Sequence, residues 1–261
     1  VGLVFCEFRI ITLLGVKITP MTASDTSTST PFDVLGTRAY FEFSDVLDYV
    51  WKSPKLIEHE TKVELAKAAA YFPNEPKLRK IRAQLEFPKL QRTFPYMIAV
   101  GNLFSVMSLF ESYLLLLATE LQRPSQSSVR EAKGQGLSKL FNYLKSVGLS
   151  PAAIPLYEQI QAAKRVRNCF MHSSGMLSWS RDEHELRRLQ TSCLYLSSEH
   201  RMRRQAREGS FDELSIRSTP LGDRLTVKNQ YSWVVCGYLR DYFVALCGEA
   251  KRVFPVVTDK S

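Results

Sequence analysis

Residues 96–121, YMIAVGNLFSVMSLFESYLLLLATEL, constrain this chain more than any other stretch. The run carries only two charges, Glu111 and Glu120. So apolar a segment must be buried, in protein or in lipid. Asn102, Ser105, Ser108, Glu111 and Ser112 interrupt it, which argues against a bilayer span. It reads as a central core helix, apolar on most faces. Gly101, Ser105, Ser108 and Ser112 fall on one stripe at helical spacing, where small residues would let another helix approach closely.

A core helix of this length needs partners, and the flanking segments supply them. Residues 55–71 are rich in helix formers, and Pro73 and Pro76 break that helix. Residues 77–86 read as a further helix, with Pro88 and Pro95 bracketing the transition into the core helix. Residues 33–52 are ambiguous; the reading adopted is a short strand, then a helix capped by Ser44. Beyond the core helix, 123–136 read as a loop. Residues 137–147 read as a helix with Leu137, Leu140, Phe141, Leu144 and Val147 at core spacing. After Pro151 and Pro155 comes a helix over 156–172, ended by Ser173-Ser174-Gly175 with Gly175 in the left-handed position. A short helix over 181–194 and an irregular basic excursion over 199–220 follow. Residues 214–216 and 225–227 pair as two short strands, and 229–253 form the closing helix. The fold class expected is all-α, with a small β-hairpin.

Hydrophobic residues make up 45% of the 261 and charged residues 23%, which excludes wholesale disorder. The formal net charge of +9 permits nucleic-acid binding without requiring it. The five cysteines form no C-x-x-C pair and the histidines number four, so neither a zinc site nor a disulfide framework is expected. Reduced thiols in a cytoplasmic protein fit best. Residues 1–32 read as a flexible leader, or as a stretch before a true start at Met21, followed by one domain over 33–261. The apolar stretch at 10–16 is too short to span a bilayer, so no membrane is expected as a partner.

Chemistry concentrates in Arg167-Asn168-Cys169-Phe170-Met171-His172. On an ideal helix Arg167 and His172 point about 140° apart, while Asn168 and His172 share a face. A histidine titrating near neutrality can take a proton from a nucleophile or give one to a leaving oxygen. An arginine can clamp a phosphate and stabilise charge developing on its oxygens. An asparagine can orient either group. Spacing alone also admits a plain helix C-terminus, with His172 on free carbonyls and Arg167 in solvent. Cys169 and Phe170 read as core fillers rather than reactive groups. Glu111 either pairs with Arg167, orients His172, or is a buried acid with a structural partner.

Three stretches resemble the HEPN superfamily. FPKLQRTFPYMIAVGNLFSVMSLFESYLLLLATEL resembles its long first core helix, acid included. GLSKLFNYLKSVGLS resembles the middle helix, and IQAAKRVRNCFMHSSG the motif helix with its Arg-polar-x-x-x-His pattern. The resemblance spans about residues 87–178, with 229–253 as the closing helix; residues 1–55 fall outside it. It implies an HEPN-like helical bundle. It also implies a metal-independent endoribonuclease without cofactor, with Arg167 and His172 as catalytic pair, Asn168 at the polar position and Glu111 in support. A toxin or antiviral defence role follows from it, with RNA, a second copy of the chain, and an antitoxin or regulatory protein as partners. The alternative it leaves open is a non-catalytic module that binds protein or nucleotide. A purely structural helical protein is a third reading.

Between Lys164 and Glu208 stand ten Lys or Arg against five Asp or Glu. Lys164, Arg165, Arg201, Arg203 and Arg204 are the candidates for an RNA backbone, against the plainer reading of a solvated surface.

Overall fold

The computed structural model describes residues 29–255. Most of these are helical, and the one sheet among them is a two-stranded antiparallel hairpin. The expected leader lies almost wholly outside the described residues. Its last positions do not: Pro31 and Phe32 open helix α1, Pro31–Tyr71, and Phe32 is buried.

The strand expected near residue 33 and the Ser44 cap are both corrected. Thr30 caps α1 instead. Its hydroxyl accepts from the Asp33 N–H at 3.2 Å, and the Asp33 carboxylate accepts from the Thr30 N–H at 3.0 Å. With Pro31 in the first turn, this satisfies donors that a helix start leaves free. Ser44 sits mid-helix and returns its hydroxyl to the Tyr40 carbonyl.

Helix α1 also runs through Pro54, which lacks an N–H and leaves the Val50 carbonyl without its helical donor. Three side chains repair this, two of them from distant segments. Val50 O accepts from Ser53 Oγ at 3.0 Å and from Asn229 Nδ2 at 2.6 Å. Asn102 Nδ2 in turn donates to Ser53 Oγ at 3.0 Å and to Asn229 Oδ1 at 2.8 Å. Asn102, one of the polar residues that interrupt the apolar core run, thus holds the two side chains that satisfy the Val50 carbonyl.

Helix α2, Pro76–Pro88, passes through a π-helical turn, Lys89–Thr93, into α3, Phe94–Ser125. Pro88 and Pro95 therefore do not end a helix. The wider turn, with Phe94 N–H bonded to the Lys89 carbonyl, absorbs the missing donors. Within the continuous helix Pro76–Ser125, one window is apolar and long enough to cross a membrane by length and composition, at mean hydropathy 1.5; 44% of it is buried in protein. Helices α4, Gly136–Ser146, and α5, Tyr157–Ser173, follow. Then come α6, Glu183–Thr191, and α7, Ser198–Gln205. The hairpin β1, Leu214–Thr219, and β2, Gly222–Val227, leads into α8, Asn229–Val253.

The core lies where the first half of α1, α3 and α8 pack together. Phe43, Leu103, Met107, Phe110, Tyr113, Leu114, Leu117, Tyr242 and Phe243 are buried there. Phe43 and Phe243 both lean on Tyr113, with ring centroids 5.7 and 5.3 Å away. Helix α5 joins through Tyr157, which stacks near Phe141 of α4 and Tyr242 of α8.

The basic excursion is helical at its start and joins a strand at its end, with 206–213 irregular between them. Ser197 caps α7 by accepting from the His200 N–H, and the Glu199–Arg203 pair braces one face. The two expected strands pair in the register Leu214↔Val227 to Thr219↔Gly222, with Leu214, Leu225 and Val227 turned inward.

Candidate active site on helix α5

Helix α5 is anchored by Ile160, Ala162, Ala163, Val166, Cys169, Phe170 and Ser173, all buried. That leaves Lys164, Arg167, Asn168, Met171 and His172 on or near the surface. The helix ends as its sequence dictates. Ser174 adopts left-handed φ, Gly175 follows at φ +82°, and the Gly175 N–H bonds to the Cys169 carbonyl. A Cβ at Gly175 would lie 3.0 Å from the Leu225 carbonyl and 3.1 Å from the Phe170 ring. Glycine is needed there because β2 closes on the turn, with the Leu225 N–H donating to the Gly175 carbonyl at 2.7 Å. The hairpin thereby fixes the end of the motif helix.

Arg167 reaches α3. Its Nη2 meets the Glu111 carboxylate, and its Nη1 donates to Asn168 Oδ1 at 3.0 Å. The pair is partly exposed, with side-chain exposures of 19% for Arg167 and 28% for Glu111. Glu111 therefore pairs with Arg167 and not with His172. His172 lies in the last turn of α5 with its ring exposed. Among the described residues no hydrogen bond or ion pair joins it to Arg167, Asn168 or Glu111. Both residues lie within α5, so the ideal-helix offset of about 140° applies to them.

One turn earlier, Lys164 donates to Ser138 Oγ of α4 at 2.7 Å. Burial pulls its pKa below the ordinary lysine range; Arg165 and Arg167 push the same way, against Asp182 and Glu111. Its ammonium thus belongs to the same electrostatic neighbourhood as the Arg167–Glu111 pair. Burial raises the Cys169 thiol pKa, which fits a core thiol rather than a nucleophile.

Two exposed apolar residues border the end of the helix: Met171, and Trp179, the latter 71% exposed. The Ser173 hydroxyl donates to the Trp179 carbonyl at 3.1 Å, tying this turn to the motif helix.

The other basic candidates are occupied elsewhere. Arg201 donates to the Cys193 and Leu196 carbonyls. Arg203 pairs with Glu199, and Arg204 with Glu213 and the Ser210 carbonyl. Helix α7 packs on α8 through His200 Nδ1 and Tyr238 Oη, 2.9 Å apart. Among the described residues no hydrogen bond or ion pair links Arg201, Arg203 or Arg204 to the motif. Among the described residues Arg165, beside the site, has no hydrogen-bond or ion-pair partner.

Compared with protein-family models, curated proteins and solved structures, the chain matches none.

The small-residue stripe of α3 is solvent-exposed, which excludes its service in the core of one chain. Gly101, Ser105, Ser108 and Ser112 face outward in line with Met97, Leu115, Leu116 and Thr119. A Cβ at Gly101 would meet nothing within 4 Å. Glu111 sits at the edge of this stripe. Ser138 and Asp182, which flank Lys164, escaped sequence reasoning because each meets α5 only through tertiary packing. For Trp179 a signal existed, a lone aromatic in a turn just past the motif.

Proposed function

We propose that this chain is an HEPN-type endoribonuclease that cleaves RNA without a divalent metal. The observation that carries the reading is the partly exposed cluster in which Glu111 of α3 meets Arg167 and Asn168 of α5, the helix that presents an exposed His172 at its end. The 2′-hydroxyl of the RNA attacks the adjacent phosphorus and the 5′-oxygen of the next nucleotide leaves. His172 takes the proton from the nucleophile or gives one to the leaving oxygen. Arg167, held in place by Glu111 and Asn168, offers its remaining N–H groups to the phosphate oxygens. Lys164 and Arg165 add positive charge along the backbone's approach. The expected products carry a 2′,3′-cyclic phosphate and a 5′-hydroxyl. Analysis of RNA termini after incubation in excess EDTA tests this; activity lost in EDTA and restored by magnesium would refute the mechanism.

The active form in this reading is a two-fold dimer in the cytoplasm, in a toxin or antiviral defence setting. One His172 cannot readily serve as both acid and base, and a two-fold axis supplies the second. The exposed stripe of α3 supports such packing. It is uncharged from Met97 to Thr119 apart from Glu111, which Arg167 already neutralises. Light scattering should therefore give a dimer mass, and mixing Arg167→Ala with His172→Ala subunits should report on a shared groove. A monomer with full activity would remove the dimer from the account.

A second reading, a non-catalytic module binding protein or nucleotide, is favoured by one feature. Both terminal nitrogens of Arg167 already have partners within the chain. RNA bound by the purified protein yet left intact in EDTA and in magnesium would support it.

A further inference from the structure

The second half of α1 and α2 form an arm that the bundle does not use. Helix α2 has no buried residue, and from Lys55 to Tyr71 only Ala68 is buried. Leu56, Leu65, Tyr71, Leu78, Ile81 and Leu85 are all exposed. Apolar side chains left exposed along one arm make it a candidate surface for a partner, and of these Leu65 opens into a groove.

Between the two helices runs a groove of about 410 Å³. Its floor is apolar and shallow, made by Leu65, Ala68 and Ala69 of α1, Ala83 and Phe87 of α2, and Leu90 just beyond. Alanines at the floor leave a concave track between two helical ridges. That shape takes the ridge of a third helix, whereas a bilayer surface takes a convex apolar face.

Charge decides the character of that helix. The acids at the rim are spent within the arm: Glu64 pairs with Lys67 and Arg82, and Glu86 with Lys89. Among the described residues Arg79 and Lys80, also at the rim, have no ion pair or side-chain hydrogen bond. From Pro76 to Thr93 there are six basic residues against the single acid Glu86. We propose that this groove docks an acidic amphipathic helix of a partner protein, with its apolar stripe on Ala68, Ala69, Ala83 and Phe87 and its carboxylates on Arg79 and Lys80. The site is independent of α5 and of the chemistry proposed there.

The test uses the full chain and a set of synthetic 18-residue helical peptides. These share one leucine stripe and differ in the remaining positions, from all-Glu to all-Lys. Fluorescence anisotropy should show binding that strengthens with negative charge. Reversing Arg79→Glu and Lys80→Glu together should weaken the acidic peptide by about tenfold or more and improve the basic one. Ala69→Trp should block both peptides by filling the floor. Circular dichroism of each variant checks that the arm is still helical. Binding indifferent to peptide charge, or no binding by any peptide, would overturn the proposal. So would co-sedimentation with phosphatidylserine vesicles that Ala69→Trp abolishes, or a dimer that Ala69→Trp converts to monomer, since each assigns the groove another occupant.

Discussion

The two halves of α1 are one continuous helix in two different physical situations. From Pro31 to Ser53 the helix buries Phe32, Leu35, Gly36, Ala39, Phe43, Val50 and Ser53 against α3 and α8. From Pro54 to Tyr71 it buries Ala68 alone. The first half takes its stability from tertiary packing and carries aromatic and β-branched residues that are mediocre helix formers. The second is rich in Lys, Glu and Ala and leans on local pairs such as Glu64–Lys67. Helix continuity therefore says nothing about where a helix is stabilised, or about which end is free to bind a partner.

Truncations separate the two halves most sharply. Phe43→Ala removes a fully buried ring from the meeting point of α1, α3 and α8. It should cost about 3–5 kcal/mol of unfolding free energy in urea titrations. Leu85→Ala, on the exposed face of α2, should stay within about 0.5 kcal/mol. Equal losses would mean that the arm is packed as the body is.

The junction between the halves should respond at an intermediate level. Asn229→Ala removes one donor from the Val50 carbonyl and the acceptor for Asn102 Nδ2. A loss of about 1–3 kcal/mol is expected, because buried polar atoms are left short of partners. No measurable loss would show that Ser53 alone can close the gap left by Pro54.

The smallest effect concerns pH and belongs to the body. Burial pulls the His200 pKa below the ordinary histidine value near 6.5, and Arg204 and Arg203 push the same way against Glu199. The unfolded chain then binds the proton more readily than the folded one. Stability falls as pH drops below about 6.5, until the folded pKa is passed. His200→Asn should flatten this part of a melting-temperature profile between pH 7.5 and 5.5. An unchanged slope would assign the acid sensitivity to other groups.

Legibility in the sequence follows the same division. The closing helix was readable to its ends, and the motif helix and α4 to within a residue, because each has strong apolar periodicity between plain stop signals. Residues 55–71 were readable as helix, and α1 does end at Tyr71, but residues 33–52 were not. The Thr30–Asp33 cap hides in a run of Ser and Thr that reads as a leader, and the repair at Pro54 depends on Asn102 and Asn229, far away in sequence. At the site, the residue types on α5 were legible. The partnership of Glu111 with Arg167, and of Lys164 with Ser138, depends on how α5 lies against α3 and α4. For the basic run at 201–204, composition does not show that Glu199, Glu213 and backbone carbonyls hold those arginines.

The measurement that bears most directly on the proposed activity is the rate of RNA cleavage in excess EDTA by the wild-type chain and by His172→Ala. His172 is the cleaner position, because its ring is exposed, whereas removing Arg167 strands the Glu111 carboxylate. The account predicts cleavage by the wild type and a loss of about 10²–10⁴-fold in the variant, with the melting temperature unchanged. Equal cleavage by a correctly folded His172→Ala protein would contradict it.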